Sequence, residues 1–211
     1  MKFIDMDNWK RKDHYKFFKE FEYPHFNIGG NVDITQFYKY IKENELPFFI
    51  STLYAVSKAA NNIKEFRLRI RDDRVIEHEA IHPSFTVLAD EDLFSFCTSN
   101  FIDDFKDFKT NTLNDINDVK NNVIIKNEPG RDDLLYTTCI PWISFTNIIH
   151  PLHMNPVDSI PRIAWGKYFE EGGKIKMPIS VQLHHALADG IHIGKYFNLL
   201  QEILDNPSKY L

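Results

Sequence analysis

Hydrophobic and polar positions along the chain alternate between a helical and a strand rhythm. Around residues 10–21, RKDHYKFFKEFE puts Tyr15, Phe18 and Phe21 on one helical stripe with charges elsewhere. The pair Gly29-Gly30 reads as a break, after which Asp33 or Thr35 caps a short helix carrying Phe37, Tyr38 and Ile41. Residues 47–63, PFFISTLYAVSKAANNI, are apolar over most of a helical circumference and predict a buried helix. Alternation about a polar turn in RLRI-RDDR-VIEHE predicts a β-hairpin, and SFTVLA (84–89) and LFSFCT (93–98) predict further strands. A polar stretch over roughly 103–121 reads as an exposed helix, 127–133 as a loop, and LLYTTCIP as a strand entering the aromatic segment PWISF. IPRIAWGKYFE and IKMPISVQLHH have the lengths of two long strands joined by the glycine turn EGGK. Ile191, Ile193, Phe197, Leu200 and Ile203 then follow near helical spacing, and Asn206-Pro207 ends that helix.

Strands and helices are interspersed, yet hairpins outnumber βαβ crossovers. This predicts an α/β fold, a two-layer sandwich with a mixed, largely antiparallel sheet covered by helices. No repeat, linker or composition break divides the chain, so residues 1–211 read as one domain. Aromatics reach 14%, with 18 Phe and 9 Tyr, enough to fill a core and also suited to flat apolar pockets or subunit contacts. A net charge of -5 and a pI near 6.0 argue against a nucleic-acid partner. No stretch is apolar for long enough to span a membrane, and MKFIDMDNWKRKDHY lacks the apolar run of a signal peptide, so a soluble cytoplasmic protein is expected. Cys97 and Cys139 lie far apart without metal-type spacing, so neither a disulfide framework nor a metal site is expected.

The stretch that carries chemistry is VQLHHALADGIH, residues 181–192. An apolar strand ends in two adjacent histidines, passes Asp189-Gly190 and starts a helix. Such a strand end holds a histidine at a fixed place, as a general base requires, and an imidazole is neutral and proton-accepting near neutral pH. Gly190 is expected to adopt a backbone conformation closed to other residues at the turn. Two adjacent histidines also serve as metal ligands or as satisfied core groups, but their spacing is wrong for a helical metal pair and no third ligand is nearby.

The string HHALADG resembles the HHxxxDG signature of the CoA-dependent acyltransferases. Asn8-Trp9-Lys10-Arg11 with Asp13-His14-Tyr15 resembles the N-terminal NWxRxxHF pattern of the chloramphenicol acetyltransferase family. VDIT, HPSFTV, IPWISF and GKYFEEGGKIKMPISVQLHH fall in that family's order, so the resemblance spans nearly the whole chain. The dihydrolipoyl acyltransferases of the same superfamily usually pair His with Arg where this chain has His184-His185.

The resemblance implies a catalytic base at His185, which takes the proton of an acceptor hydroxyl as its oxygen attacks the thioester of acetyl-CoA. No covalent acyl-enzyme and no permanently bound cofactor are implied; acetyl-CoA is a co-substrate. His184, one step along the strand, faces the other way. Asp189 is implied to pair with Arg11 and hold the turn behind the base. The family's oxyanion donor is a serine four residues before the Trp of Pro141-Trp142; that position is Thr138, which keeps the hydroxyl on a stiffer side chain. Trp142 and Tyr168 correspond to aromatic positions along CoA, and Phe18 and Phe26 to positions lining the acceptor pocket. A homotrimer with active sites between subunits is implied as well. Three departures from the family pattern stand out: Ala164 replaces a threonine that helps bind a water beside the transition state, Ala188 replaces a cysteine of the motif, and VKNNVIIKNEP near residues 120–130 lacks the phenylalanine-proline of the acceptor-lining region. The expectation is O-acetylation of a small hydroxylated antibiotic, chloramphenicol first, with antibiotic resistance as its consequence. A different alcohol or thiol acceptor, and a non-catalytic binder on the same scaffold, are the alternatives.

Overall fold

A computed structural model describes residues 1–89, 93–121 and 130–211. Its strands are β1 (Lys2–Phe3), β2 (His25–Asp33), β3 (Leu68–Arg71), β4 (Arg74–Glu77), β5 (His82–Leu88), β6 (Phe94–Thr98), β7 (Leu134–Ile140), β8 (Arg162–Gly166), β9 (Phe169–Glu171) and β10 (Lys174–His184). Its helices are α1 (Lys12–Phe18), α2 (Thr35–Glu43), α3 (Phe48–Asn61), α4 (Phe105–Asn121), α5 (Gly190–Asp205) and the single turn α6 (Pro207–Tyr210). The main sheet runs β2-β10-β8-β7-β5-β6, with β9 also paired to β10; a small sheet runs β1-β4-β3. Pairing is antiparallel except for β5-β7 and β7-β8, which makes the sheet mixed and largely antiparallel.

Alternation along β10 separates two faces. Met177, Ile179, Val181 and Leu183 join a core with Leu53 and Val56 of α3 and Ile193, Tyr196 and Leu200 of α5. Helix α3 is buried over most of its circumference, as its unbroken apolar sequence requires. Ser180, Gln182 and His184 point to the other face, which an irregular segment crosses: Ser180 Oγ donates to the Ile148 carbonyl at 3.3 Å, and the His150 N–H donates to Gln182 Oε1 at 3.0 Å.

Four local expectations differ from the structure. Gly29-Gly30 does not break the chain; both lie inside β2, opposite Ser180 and Ile179 of β10. A Cβ at Gly29 would sit 3.2 Å from the Thr146 carbonyl, so the glycine lets the crossing segment lie close on the sheet. The long strand expected over IPRIAWGKYFE is split into β8 and β9 at Lys167-Tyr168. Helix α4 is not exposed throughout, since Phe105, Phe108 and Thr112 are buried. Ile191 is exposed, and Tyr196 and Leu204 take the inward positions of α5. The hairpin β3-β4 turns at Asp72-Asp73, both with positive φ (47° and 59°), as a tight two-residue hairpin loop demands.

Candidate active site

His185 follows the last residue of β10, and its N–H donates to the Pro24 carbonyl at 2.7 Å, extending the pairing with β2 by one step. Its ring lies under Phe18, stacked at 3.9 Å between centroids and 9° between planes, and against Phe26 at 4.4 Å. His185 Nδ1 is 3.1 Å from the Ala188 carbonyl oxygen and 3.2 Å from Asp189 Oδ1. Both are acceptors, so Nδ1 carries the proton and Nε2 presents a lone pair. That tautomer can take a proton from a hydroxyl.

Arg11 holds the turn from behind. Its Nε donates to Ala186 O at 3.0 Å, its Nη2 to His185 O at 2.6 Å, to Ala188 O at 3.0 Å and to Asp189 Oδ1 at 2.7 Å, and its Nη1 to Asp189 Oδ2. One planar guanidinium thus ties three carbonyls and a carboxylate of a five-residue turn across 174 to 178 residues of sequence. Its hydrogen bonds hold the Asp189 carboxyl below the usual carboxylate range. Gly190 needs no special backbone conformation: its φ is not positive, and a Cβ there would meet Ile28 Cδ1 at an ordinary 3.7 Å. His184 faces away from this site; it is buried, accepts from the Ala186 N–H at 3.2 Å, and burial lowers its pKa to about 3. It touches His25 edge-on at 4.9 Å, and burial lowers that pKa to about 4.

The structure brings His185, Arg11, Asp189, Phe18 and Phe26 together, and leaves the other three expected residues apart. Thr138 is in register with Ala164 and, through it, with Ser180, so it shares the face of His184 and not that of His185. It lines a cavity of about 500 Å³ with Tyr136, Phe96, Leu152, His150 and Arg162. Tyr168 follows β8, where Phe169 pairs with Lys176, nine residues from His185 and so about 30 Å along β10. It touches Tyr38 and Phe48. Trp142 is 67% exposed and, among the described residues, touches no other aromatic ring. Residues 122–129 of the string VKNNVIIKNEP lie outside the described residues.

Two features escaped the sequence reading. Arg162, buried on β8, pairs with Asp158 and lies 5.1 Å over the Tyr136 ring inside the cavity of Thr138. A lone arginine in the apolar run IPRIAW was the available signal. His192, at the third position of α5, accepts the Asp189 N–H on Nδ1 at 2.9 Å; the motif string contained it without distinguishing it from a surface helix residue. Among the described residues, no group of three or more His, Cys, Asp or Glu side chains is placed to hold a metal ion. No helix among them is long and apolar enough to cross a membrane.

The fold, with His185 at the end of an inner strand of its mixed sheet, is that of an acyltransferase. A solved chloramphenicol acetyltransferase superposes with a TM-score of 0.85 at 26% identity, over 96% of this chain and 99% of its own. A probable dihydrolipoamide acetyltransferase from Listeria monocytogenes shares the fold, with a TM-score of 0.70 at 15% identity over 92% of this chain and 89% of its own. In sequence, a chloramphenicol acetyltransferase of Clostridium perfringens is 31% identical over 100% of this chain and 99% of its own, and one of a Klebsiella species is 29% identical over 96% and 93%. The family model for chloramphenicol acetyltransferase matches residues 1–201, and the chain belongs to that family.

Proposed function

We propose that this chain, as one domain of 211 residues, transfers the acetyl group of acetyl-CoA directly to a hydroxyl of a small acceptor, chloramphenicol being the first candidate. The observation that carries the reading is the 3.1 Å approach of His185 Nδ1 to the Ala188 carbonyl oxygen, which places the ring proton on Nδ1 and leaves Nε2 to accept the hydroxyl proton. The acceptor oxygen then attacks the thioester carbon, Thr138 donates to the oxyanion, and the proton on Nε2 returns to the departing thiolate. Arg11 and Asp189 keep the turn in place and move no proton. Phe18 and Phe26 flank the acceptor beside the base, and Trp142 and Tyr168 offer flat faces to the CoA arm.

Thr138, Trp142 and Tyr168 act from a neighbouring copy in this reading, since within one chain Thr138 stands on another face, Tyr168 far along β10, and Trp142 is exposed outside the rings that pack on His185. Exposed large apolar side chains near the base, Phe17 of α1, Phe21 just after it, Ile28 of β2 and Ile191 of α5, support association with further copies, and the family resemblance makes that assembly a homotrimer. The cytoplasm is the proposed location, and resistance to the antibiotic the proposed consequence.

The test is release of CoA thiol from acetyl-CoA by purified protein, with and without chloramphenicol, using His185→Ala as control. Chloramphenicol-dependent release that disappears in the variant is expected. Release absent with chloramphenicol but present with another alcohol or thiol would favour a second reading, in which the chemistry is kept and the acceptor differs. The buried Arg162–Asp158 pair and the Tyr136 hydroxyl beside Thr138 favour that reading, because they offer a polar acceptor group both donors and an acceptor.

A further inference from the structure

We infer that His192 is a positioning residue for the base, acting through the peptide that joins Ala188 to Asp189; this rests on the reading of His185 as the base. The two ends of that one peptide are occupied by two different histidines. Its N–H donates to His192 Nδ1 at 2.9 Å, and its carbonyl oxygen is 3.1 Å from His185 Nδ1. A peptide group is planar, so its N–H and C=O point in opposite directions and fixing one aims the other. Arg11 Nη2 donates to the same carbonyl at 3.0 Å, so the plane is held from both sides.

The tautomers follow in sequence. His192 accepts on Nδ1, so it carries its proton on Nε2, which lies 3.5 Å from Glu65 Oε1. With its N–H engaged, the peptide carbonyl is the better acceptor, because hydrogen bonds through one amide polarise each other. That carbonyl in turn favours the His185 tautomer with the proton on Nδ1 and the lone pair on Nε2. His192 is mostly buried, and burial lowers its pKa, keeping the ring neutral and Nδ1 able to accept. Its place at the third position of α5 is that of Glu or Gln in a capping box, whose side chain accepts the N-cap N–H. Here the N-cap is Asp189, so the device that starts α5 also sets the catalytic turn.

Three variants and one spectroscopic measurement test this. His192→Phe keeps a ring but removes the acceptor, and is expected to lower kcat about 10–100-fold, the scale for a catalytic group displaced by about an ångström, with KM for acetyl-CoA within about 2-fold. His192→Ala should behave in the same way. His192→Gln restores an acceptor at that position and is expected to recover kcat to within about 3-fold of wild type. Ring nitrogen shifts of the wild-type protein should place the His192 proton on Nε2 and the His185 proton on Nδ1, and His192→Phe should shift His185 towards a mixture. Protonated Nδ1 on His192 in the folded wild-type protein would overturn the inference without any variant. So would a His192→Phe protein with unchanged kcat and unchanged His185 tautomer, or a Gln variant no better than Phe. If wild-type protein transfers acetyl to no acceptor, the reading of His185 as base fails, and the ring nitrogen shifts still decide whether His192 orients the turn.

Discussion

Behind His185, one guanidinium, one carboxylate and two ring nitrogens tie the carbonyls of residues 185, 186 and 188 and both polar ends of Asp189 in place. On the opposite sheet face, the hydroxyls of Thr138 and Tyr136 border a cavity of about 500 Å³ and make no hydrogen bond among the described residues. The first region has met its polar needs internally; the second holds polar groups in reserve. A base must stand at one place with one tautomer, so its surroundings are saturated in advance. Groups that meet a transient oxyanion or a visiting acceptor must be directed at empty space until the reaction. The same polar chemistry, satisfied in one region and waiting in the other, separates positioning from recognition.

The strongest way to break this comparison is His185→Ala. Turnover should fall by about 10²–10⁴-fold, the usual share of a general base, with folding and CoA binding largely retained. Near-normal CoA release would remove the base from the account. Next comes Thr138→Ala, expected to lose about 10²–10³-fold in kcat if one oxyanion donor is removed, whereas Thr138→Ser should keep or improve the rate. A Thr138→Ala protein of ordinary activity would leave the cavity without a role in the chemistry.

Asp189→Asn sharpens the first half by leaving the nearly buried Arg11 charge without its counter-ion. Breaking a buried pair is strongly destabilising, and partial exposure of Asp189 reduces that cost to about 1–3 kcal/mol by denaturant titration. An unchanged midpoint would show that the three carbonyls alone hold Arg11.

A further prediction concerns pH. His184 and His25 resist protonation in the folded protein, with pKa values of about 3 and 4, while an unfolded histidine binds its proton near 6.5. Unfolded chains therefore bind more protons between these values, and stability present above pH 6.5 declines as pH falls toward 4. Asp189 adds to the loss below the usual carboxylate pKa, where protonation removes the partner of Arg11. Thermal midpoints from pH 7.5 to 4 should fall across this window, and His184→Phe should flatten the decline. A flat profile in the wild-type protein would mean that both rings are reached by protons without unfolding.

Much of the fold was legible in local patterns. The buried α3, the hairpin β3-β4, the strand ending in His184 and the helix after Asp189 each follow from periodicity and turn residues a few positions apart. HHALADG together with Trp9-x-Arg11 carried the Arg11–Asp189 ion pair and the proposed base beside it, because a motif preserves spacing that chemistry requires. Gly29-Gly30 misled because two glycines look alike in a break and in a strand that another segment crosses closely; only the position of the Thr146 carbonyl distinguishes them.

By itself, then, the sequence determined most of the helices and strands, that a histidine pair ends the long strand, and which family the chain resembles. Tertiary structure alone decided that the Ala188–Asp189 peptide joins His192 to His185, that Arg162 and Asp158 line the cavity of Thr138, and that this cavity and His185 lie on different faces of one sheet. The physical reason is range. Periodicity reports which way a side chain points relative to its own neighbours, whereas a site is made by strand order and register between residues far apart in sequence, and those are set only when the sheet closes.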